Sequence, residues 1–251
     1  MKFNTSDYLS SLDNQEFGKH ILYISSTKST NDDIWRYFDN NDHLIITTDD
    51  QTLGKGQRGR TWFSKKNKSL IFSVGLMDDK KNSNLIALKV ALATVEAIIK
   101  SSNLNPSIKW PNDILINNKK VAGILIESKL NGIKRTLSIG VGINVNLDSR
   151  DIKGELESKM TSLNIETNKN YSRELLLSNF IKSLDYFLYK DSELIINKWE
   201  KLCAHKNSEL QFHDFNNNII NGKFIGIDKT GRAIINSNGK ISYHHNGTIE
   251  L

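Results

Sequence analysis

The sequence contains a single cysteine, Cys203, so the chain can form no internal disulfide. It has no apolar run long enough to cross a bilayer. Its first residues, MKFNTSDYLSSLDNQEF, are polar and lack the apolar segment of a secretory signal peptide. These absences argue against a secreted or membrane-spanning protein and predict one that works in the reducing cytoplasm. Cys203 lies in a predicted helix and is interpreted as a core residue, not as a nucleophile.

The composition is that of an ordinary globular protein. Of its 251 residues, 38% are hydrophobic and 25% are charged. This length suits one large domain with a small addition. The net charge is +6, but Lys and Arg alternate with Asp and Glu along most of the chain. We therefore interpret the excess as a basic surface suited to an anionic substrate, in preference to a nucleic-acid-binding surface.

The spacing of apolar residues predicts an α+β fold with a mostly antiparallel sheet. Strands are predicted at residues 43–48 and 69–76, and a helix with a buried stripe at residues 85–99. The polar letters NNKK between the two apolar runs of DILINNKKVAGILIES predict a β-hairpin, and IKRTLSIGVGINVN predicts another strand. Consecutive strands with few crossover helices favour this arrangement over a doubly wound parallel sheet.

The last third of the chain is predicted to consist of two helices followed by short strands. Two helices are predicted, one capped by Ser172 and the other covering ELIINKWEKL. From residue 207 onward, short strands punctuated by glycines predict a small β-barrel that leans on the main domain. We therefore place a main domain at residues 1–204 and a small C-terminal domain at residues 205–251.

The segment LGKGQRGRTW places three glycines, three cations and a tryptophan in ten residues. It matches both G-x-G-x-x-G and a P-loop pattern with Arg60 in place of lysine. Both patterns need a helix directly after the glycines, but a polar turn and a strand are predicted there, so both matches are coincidental. The glycine amides and the cations still suit an anionic ligand. The alternative is a solvated basic hairpin connection.

A second candidate site is KWPND. Pro111 ends a strand and holds Trp110 extended, which orients Lys109. A lysine on a rigid strand end can neutralise a phosphate whose charge grows in a transition state. Asn112 and Asp113 could bind a polar substrate edge or a magnesium ion. The alternative is a surface turn that carries a lysine.

Five motifs in order, STN at residues 29–31, GKGQRGRTW, KWPND, KKVAGILIES and GVGINVN, resemble those of the biotin protein ligases. These enzymes join biotin to a lysine of a carboxylase's biotin carboxyl carrier domain. The resemblance covers residues 23–146. GKFIGIDKTGRAII and HNGTIEL more weakly resemble the family's small SH3-like C-terminal domain.

The resemblance implies a fold and a reaction. The fold is like the catalytic core of class II aminoacyl-tRNA synthetases, a mixed sheet with flanking helices, plus a small SH3-like β-barrel. In the reaction, biotin's carboxylate attacks the α-phosphate of Mg·ATP to give biotinyl-5′-AMP and pyrophosphate. The ε-amine of the carrier lysine then takes the biotinyl group and AMP leaves.

The resemblance also implies residue roles. The catalytic candidates are Lys109, which would contact biotin's carboxylate and the α-phosphate, and Arg60. The STN segment would bind biotin's polar head, the glycine loop would clasp the adenylate, and bulk at Gly123 would block the ligand. The magnesium ligands stay unassigned, with Asp113 as one candidate. The binding candidates are Ser29, Thr30, Asn31, Gln51, Gly54, Lys55, Gly56, Gln57, Arg58, Trp62, Trp110, Asn112, Gly123, Gly142 and Asn144.

Some features depart from the family pattern. Gln57 and Lys55 stand where the family often has arginine, and lysine cannot pair bidentately with a phosphate, so we expect looser retention of the adenylate. The STN motif begins at Ser29, which predicts a ligase without the helix-turn-helix of members that also act as repressors, and hence no DNA partner. The expected partners are biotin, ATP, the carrier domain and a second copy in a homodimer. The alternatives are a lipoate or octanoate ligase of the same fold and a non-catalytic biotin sensor.

Overall fold

The structure is a computed structural model that describes residues 1–39, 43–78, 85–131, 134–214, 216 and 218–250. Its main sheet is built from seven strands: β1 (Ile21–Ile24), β2 (His43–Thr48), β3 (Ser69–Asp78), β4 (Ser107–Lys109), β5 (Asp113–Ile116), β6 (Lys119–Asn131) and β7 (Lys134–Asn144). They lie in the order β1-β2-β3-β7-β6-β5-β4. The pair β1–β2 is parallel, and the other neighbouring pairs are antiparallel. The predicted mixed, mostly antiparallel sheet is therefore confirmed.

The helices flank this sheet. They are α1 (Thr5–Ser11), α2 (Thr30–Tyr37), α3 (Ile86–Ser102), α4 (Leu156–Lys159), α5 (Leu163–Thr167), α6 (Arg173–Leu188) and α7 (Ser192–Leu202). Helix α3 is buried along most of its length and packs against α6. The Phe72 ring of β3 meets the Phe180 ring of α6 edge-on at 4.8 Å, both fully buried. Burying each such ring stabilises the fold by roughly 1.5–3 kcal/mol.

Local sequence signals explain two of these elements. Asn117 and Asn118, which join β5 to β6, have φ of 50° and 61°. Two left-handed residues in a row are what a tight type I′ hairpin turn requires, and asparagine tolerates that conformation. At the start of α6, the Ser172 hydroxyl accepts the N–H of Leu175 as an N-cap. The predicted hairpin and the predicted cap are both present.

A buried ion pair fastens the first residues of the chain to the sheet. Arg173 Nη2 lies 2.8 Å from Asp49 Oδ1, and both side chains are almost fully buried. The Asp49 carboxylate also accepts the backbone N–H of Phe3 at 3.1 Å and the Tyr23 hydroxyl at 2.6 Å. The carboxylate thus has several donors, which offset the cost of burying its charge. Burial of the Tyr23 hydroxyl, followed by its hydrogen bond to the Asp49 carboxylate, raises the pKa of Tyr23 to about 12.

Five antiparallel strands form a second, smaller sheet after α7. They are β8 (Glu209–His213), β9 (Ile219–Ile227), β10 (Ala233–Ser237), β11 (Lys240–His244) and β12 (Thr248–Glu250). Their order is β11-β10-β9-β8-β12. The sheet leans on the main one where the Phe212 ring lies 5.7 Å from that of Trp110, whose indole N–H is bonded to Gly231 O. The domain boundary at residues 204 and 205 stays a prediction.

Short elements escaped prediction. Strand β1 and helices α4 and α5 have only four or five residues each, too few to show a period. Among the described residues, none of the helices has both the length and the apolar character needed to span a bilayer.

Candidate functional site

A cleft that is open in part to solvent lies on the main sheet beneath the glycine loop. Its walls come from the start of α2, the glycine loop, the β4–β5 corner, the middle of β6 and β7, and strand β12 of the small sheet. The predicted site residues that line it are Ser29, Thr30, Asn31, Gln51, Lys55, Gly56, Gln57, Arg58, Arg60, Trp62, Lys109, Trp110, Asn112, Asp113, Gly123 and Gly142. The fold therefore brings motifs that are distant in the sequence into one concave site.

One corner of the cleft is polar and buried. Helix α2 begins at Thr30, and the Thr30 N–H is bonded to Gln51 Oε1 at 3.0 Å. The Thr30 hydroxyl lies 2.7 Å from the Ser73 hydroxyl, which in turn donates to Asn31 Oδ1 at 2.6 Å. Thr30, Asn31 and Ser73 are each less than 5% exposed. This burial makes the corner rigid, because its side chains have little room for other rotamers.

The amide of Asn31 reaches further, to strand β6. Asn31 Nδ2 donates to Glu127 Oε2 at 2.9 Å and to Leu125 O at 3.3 Å. Gly140 of β7 makes room for it, because a Cβ atom there would lie 2.3 Å from Asn31 Oδ1. Neither Glu127 nor Gly140 was among the predicted site residues. The alternating glycines of GVG were a signal for the second of them, since a strand lacking side chains on one face allows a close neighbour.

The glycine loop is closed without any α-helix to brace it. The Trp62 N–H is bonded to Gly54 O at 2.9 Å, and Gly56 N–H to Arg60 O at 2.6 Å. Two side chains hold the loop from opposite sides. Lys55 Nζ lies 2.6 Å from Asp32 Oδ1 on α2, and Arg58 Nη2 donates to Asp214 O of the small sheet's β8–β9 connection at 3.2 Å.

The indole of Trp62 packs against two glycines of the sheet. A Cβ atom on Gly142 would come within 2.4 Å of the ring's Cε2, and one on Gly123 within 2.7 Å of its Cζ3. The indole Nε1 is buried and has no hydrogen-bond partner among the described residues. Gly123 was predicted as a place where bulk would block a ligand; in this structure added bulk would meet the Trp62 ring and Lys120 first.

Lys120 also lines the cleft, although it was not among the predicted site residues. Its Nζ lies 2.5 Å from Asp113 Oδ1 and 5.3 Å from the centre of the Trp62 ring. Lys109 is the cross-strand partner of Asp113 on β4, so two lysines flank one carboxylate. Strict alternation along β6 would place Lys120 and Gly123 on opposite faces. A register shift at Ile114 and Leu115 changes that alternation, and both residues reach the cleft.

The residues present do not form a resident metal site. Asp113, the magnesium candidate, is already paired with Lys120, and it is the one carboxylate among the described residues that line the cleft. No cluster of three or more His, Cys, Asp or Glu side chains suited to a metal occurs in the described parts of the chain. A hard cation needs more oxygen ligands than this corner supplies.

Two predicted binding residues lie behind the cleft wall. Gly54 is buried against Trp62, where a Cβ atom would lie 2.7 Å from Trp62 O. Asn144 is fully buried at the end of β7 and donates to Thr161 O at 3.0 Å. Asn144 Oδ1 has no hydrogen-bond partner among the described residues.

Behind Lys109, the chain turns from α7 into the small sheet. The Ala204 N–H is bonded to Ile108 O at 2.9 Å, next to the fully buried His205. Burial, followed by the charge of Lys109, lowers the pKa of His205 from 6.5 to about 4. Burial raises the pKa of the Cys203 thiol to about 11. Cys203 packs against the core, as predicted, and its raised pKa keeps it a poor nucleophile.

The remaining cleft residues were not predicted and are mostly apolar or far away in the sequence. They are Thr61, Ile71, Phe72, Pro111, Ile124, Leu125, Val141, Thr248 and Ile249. The sequence of an apolar strand does not indicate whether a given residue faces the core or a ligand. Thr248 and Ile249 line the cleft because the small sheet, to which they belong, packs against the main one.

Comparisons with known proteins agree with this geometry. Residues 21–144 match the model of the Biotin/lipoate A/B protein ligase family. The bifunctional ligase/repressor BirA of Bacillus subtilis is 28% identical, covering 100% of this chain and 79% of that protein. Biotin–protein ligase 1, chloroplastic, of Arabidopsis thaliana is 31% identical over 84% of this chain and 60% of that protein.

Solved structures show the same architecture. The biotin protein ligase from Aquifex aeolicus in complex with biotin and ATP superposes with a TM-score of 0.79 at 28% identity, over 92% of this chain and 98% of that one. The ordered motifs, the shared fold and the similarity along the whole of this chain together show that residues 21–144 form a biotin/lipoate A/B protein ligase domain and that the chain is a homologue of the biotin protein ligases.

Proposed function

We propose that the protein biotinylates a lysine of a biotin carboxyl carrier domain, using ATP and passing through biotinyl-5′-AMP. The observation that carries this proposal is the set of side chains that line a single cleft. A buried polar corner at Thr30 and Gln51 lies at one end, and lysines and arginines from the loop and the β4–β6 region lie along the rest. Such a cleft suits a ligand with a polar head and an acidic tail that must meet a phosphate.

The polar corner suits the ureido head of biotin. Gln51 Oε1 accepts the Thr30 N–H, so the Gln51 amide turns its Nε2 donors toward other partners. The Thr30 hydroxyl lies beside it. A ureido group offers both N–H and C=O along one edge, and these match an amide donor next to a hydroxyl.

The cations suit the adenylation step. Biotin's carboxylate oxygen attacks the α-phosphorus of ATP, an O–P bond forms, and pyrophosphate leaves. Since both reactants are anions, positive charge must offset their repulsion. We assign this role to Lys109 and Lys120, which flank Asp113, with Arg60 as a further contact from the loop. Magnesium would enter as part of the substrate Mg·ATP, on the phosphate oxygens.

The second step needs no nucleophile from this chain. The amine of the carrier lysine attacks the mixed anhydride, a C–N bond forms, and AMP is the leaving group. The chain's task is to hold the adenylate away from water until the carrier arrives. Lys55 and Arg58, which tie the glycine loop to α2 and to the small sheet, would keep the cleft closed meanwhile. Consumption of ATP agrees with the cytoplasmic location predicted from the sequence, and a homodimer stays a proposal.

The chief competitor is lipoate, which the family description also includes. Its dithiolane head has no N–H or C=O group, so it would leave the buried corner at Thr30 and Gln51 without partners. Burying unpaired polar groups costs about 1–3 kcal/mol each. The corner therefore favours biotin.

Pyrophosphate release from Mg·ATP tests the proposal, with biotin or lipoate supplied separately. We expect release with biotin alone, followed by transfer of labelled biotin to an isolated carrier domain. Release with lipoate would overturn the substrate assignment. Biotin binding without pyrophosphate release would make the protein a sensor.

A further inference from the structure

We propose that Glu127, a residue outside the cleft wall, fixes the hydrogen-bond polarity of the polar corner and so acts as a positioning residue for biotin. It would do this through Asn31, Ser73 and Thr30, making the Thr30 hydroxyl an acceptor toward the ligand. The inference rests on the proposed function, because it concerns the head group that the corner binds.

The first step is the orientation of the Asn31 amide. The end of this amide that faces β6 meets two acceptors, the Glu127 carboxylate at 2.9 Å and the Leu125 carbonyl at 3.3 Å. Both can only accept, so the NH₂ group must lie there. The amide oxygen Oδ1 then necessarily faces Ser73. Ser138 Oγ, which donates to Asn31 O at 3.3 Å, helps to hold the residue in place.

The second step is a count of hydroxyl hydrogens. Ser73 has one, and Asn31 Oδ1 takes it at 2.6 Å. In the 2.7 Å contact between Ser73 and Thr30, the donor must therefore be Thr30. Gln51 Oε1 lies farther from the Thr30 hydroxyl, at 3.4 Å, and already accepts the Thr30 N–H. With its own hydrogen committed to Ser73, the Thr30 oxygen can only accept from a ligand.

The third step is what this polarity selects. Thr30 Oγ1 presents lone pairs, and Gln51, whose Oε1 is taken by the Thr30 N–H, keeps its Nε2 hydrogens for another partner. The matching ligand edge has an N–H next to a C=O, as in a cyclic ureide. If Asn31 turned over, its NH₂ would face Ser73, the chain of bonds would reverse, and Thr30 would become a donor. The carboxylate of Glu127 opposes that reversal, because it would then face the amide oxygen.

The role of Glu127 as a hydrogen-bond acceptor can be tested separately from its negative charge. In Glu127→Met the acceptor is gone, and we expect the Kd for biotin to rise about tenfold. In Glu127→Gln an amide oxygen can still accept from Asn31, so we expect biotin affinity close to that of the unmodified protein. ATP affinity and Tm should stay unchanged in both variants. Glu16→Met, at an exposed position beside Lys19, is the control with the same change of side chain.

A double-mutant cycle with Thr30→Val shows whether Glu127 acts through Thr30. Thr30→Val removes the hydroxyl, so adding Glu127→Met should weaken biotin binding no further. Additive losses, or a Glu127→Met variant that binds biotin normally, would overturn the inference while leaving the proposed function intact. Equal losses in the Met and Gln variants would also overturn it, in favour of a charge effect. An unmodified protein that fails to bind biotin would instead contradict the proposed function itself.

Discussion

The ring of Trp62 rests directly on the backbone of Gly142, at a spacing that leaves no room for a methyl group. The same ring lies over Gly123 on the neighbouring strand, and Lys120 stands beside it. The glycine loop thus contacts the sheet through one large aromatic side chain. That side chain packs on glycine positions of the sheet, where no side chain is in the way.

Gly142→Ala should therefore displace Trp62 and impair adenylation. We expect biotin-dependent exchange of pyrophosphate into ATP to fall at least about tenfold, a barrier change of about 1.4 kcal/mol. Adding Trp62→Ala separates the ring clash from other effects. The double variant should be no worse than Trp62→Ala alone, and a further loss would show that Gly142 matters for another reason.

Two adjacent lysines provide a matched pair. Lys120 lies in the cleft beside Asp113, whereas Lys119 points away and donates to Glu157 O at 2.9 Å. Lys120→Met should slow the adenylation step by about a hundredfold, because it removes a cation from two reacting anions. Lys119→Met should change the rate less than twofold. Equal rates in single-turnover adenylation for the two variants would remove Lys120 from the reaction; Lys109→Met tests the other lysine in the same assay.

Gln57 lines the cleft where the family pattern often has arginine. Gln57→Arg adds a planar cation that can pair bidentately with a phosphate, so we expect the adenylate to leave about tenfold more slowly. Release of labelled biotinyl-5′-AMP in the absence of carrier measures this rate. Gln57→Lys, with the charge but without the fork, should give a smaller gain. An unchanged release rate in both variants would contradict the expected looser retention.

The Asp49–Arg173 pair should dominate the stability of the N-terminal segment. Arg173→Met leaves a buried carboxylate without its cation, and we expect the free energy of unfolding to fall by about 3–5 kcal/mol. Urea denaturation measures the loss. Adding Asp49→Asn should recover part of it, since the unpaired charge is then gone. Arg150→Met, which removes an exposed partner of Asp148, should change the urea midpoint very little, because water and salt screen exposed ion pairs.

His205 should make the protein less stable in acid. Its pKa is about 4 in the folded chain, below the value of 6.5 for an unperturbed histidine. As the pH falls below 6.5, the unfolded state takes up the proton first, so stability is lost progressively down to about pH 4. Between pH 7 and pH 5 this amounts to about 2 kcal/mol. His205→Phe should flatten that part of the urea-derived stability profile, whereas His245→Gln, at an exposed position, should leave it unchanged.

The elements that could be predicted from the sequence were those whose hydrophobic periodicity extends over many residues or whose turn signal is strong. Strands β2 and β3, helix α3 and the Asn117–Asn118 turn all had such signals. The glycine loop was correctly separated from true P-loops because no α-helix follows it. Most of the cleft was predicted through five ordered motifs whose spacing resembles one family.

The parts that could not be predicted depend on long-range geometry. Lys120 reaches the cleft because a register shift on β6 breaks the strand's alternation. Glu127 meets Asn31 across 96 positions of sequence, and Arg58 meets Asp214 across 156. No local pattern encodes such pairs, because they arise only when separate elements pack together.

The contribution of strand β12 to the cleft has a consequence for how the protein is made. Thr248 and Ile249 of β12 form one wall of the cleft, which residues as early in the sequence as Ser29 also line. A chain emerging from the ribosome can fold its main sheet early, yet its binding cleft stays without that wall until β12 has been synthesised and has paired with β8. A nascent chain that has not yet formed β12 would therefore hold a reactive adenylate less well than the folded protein.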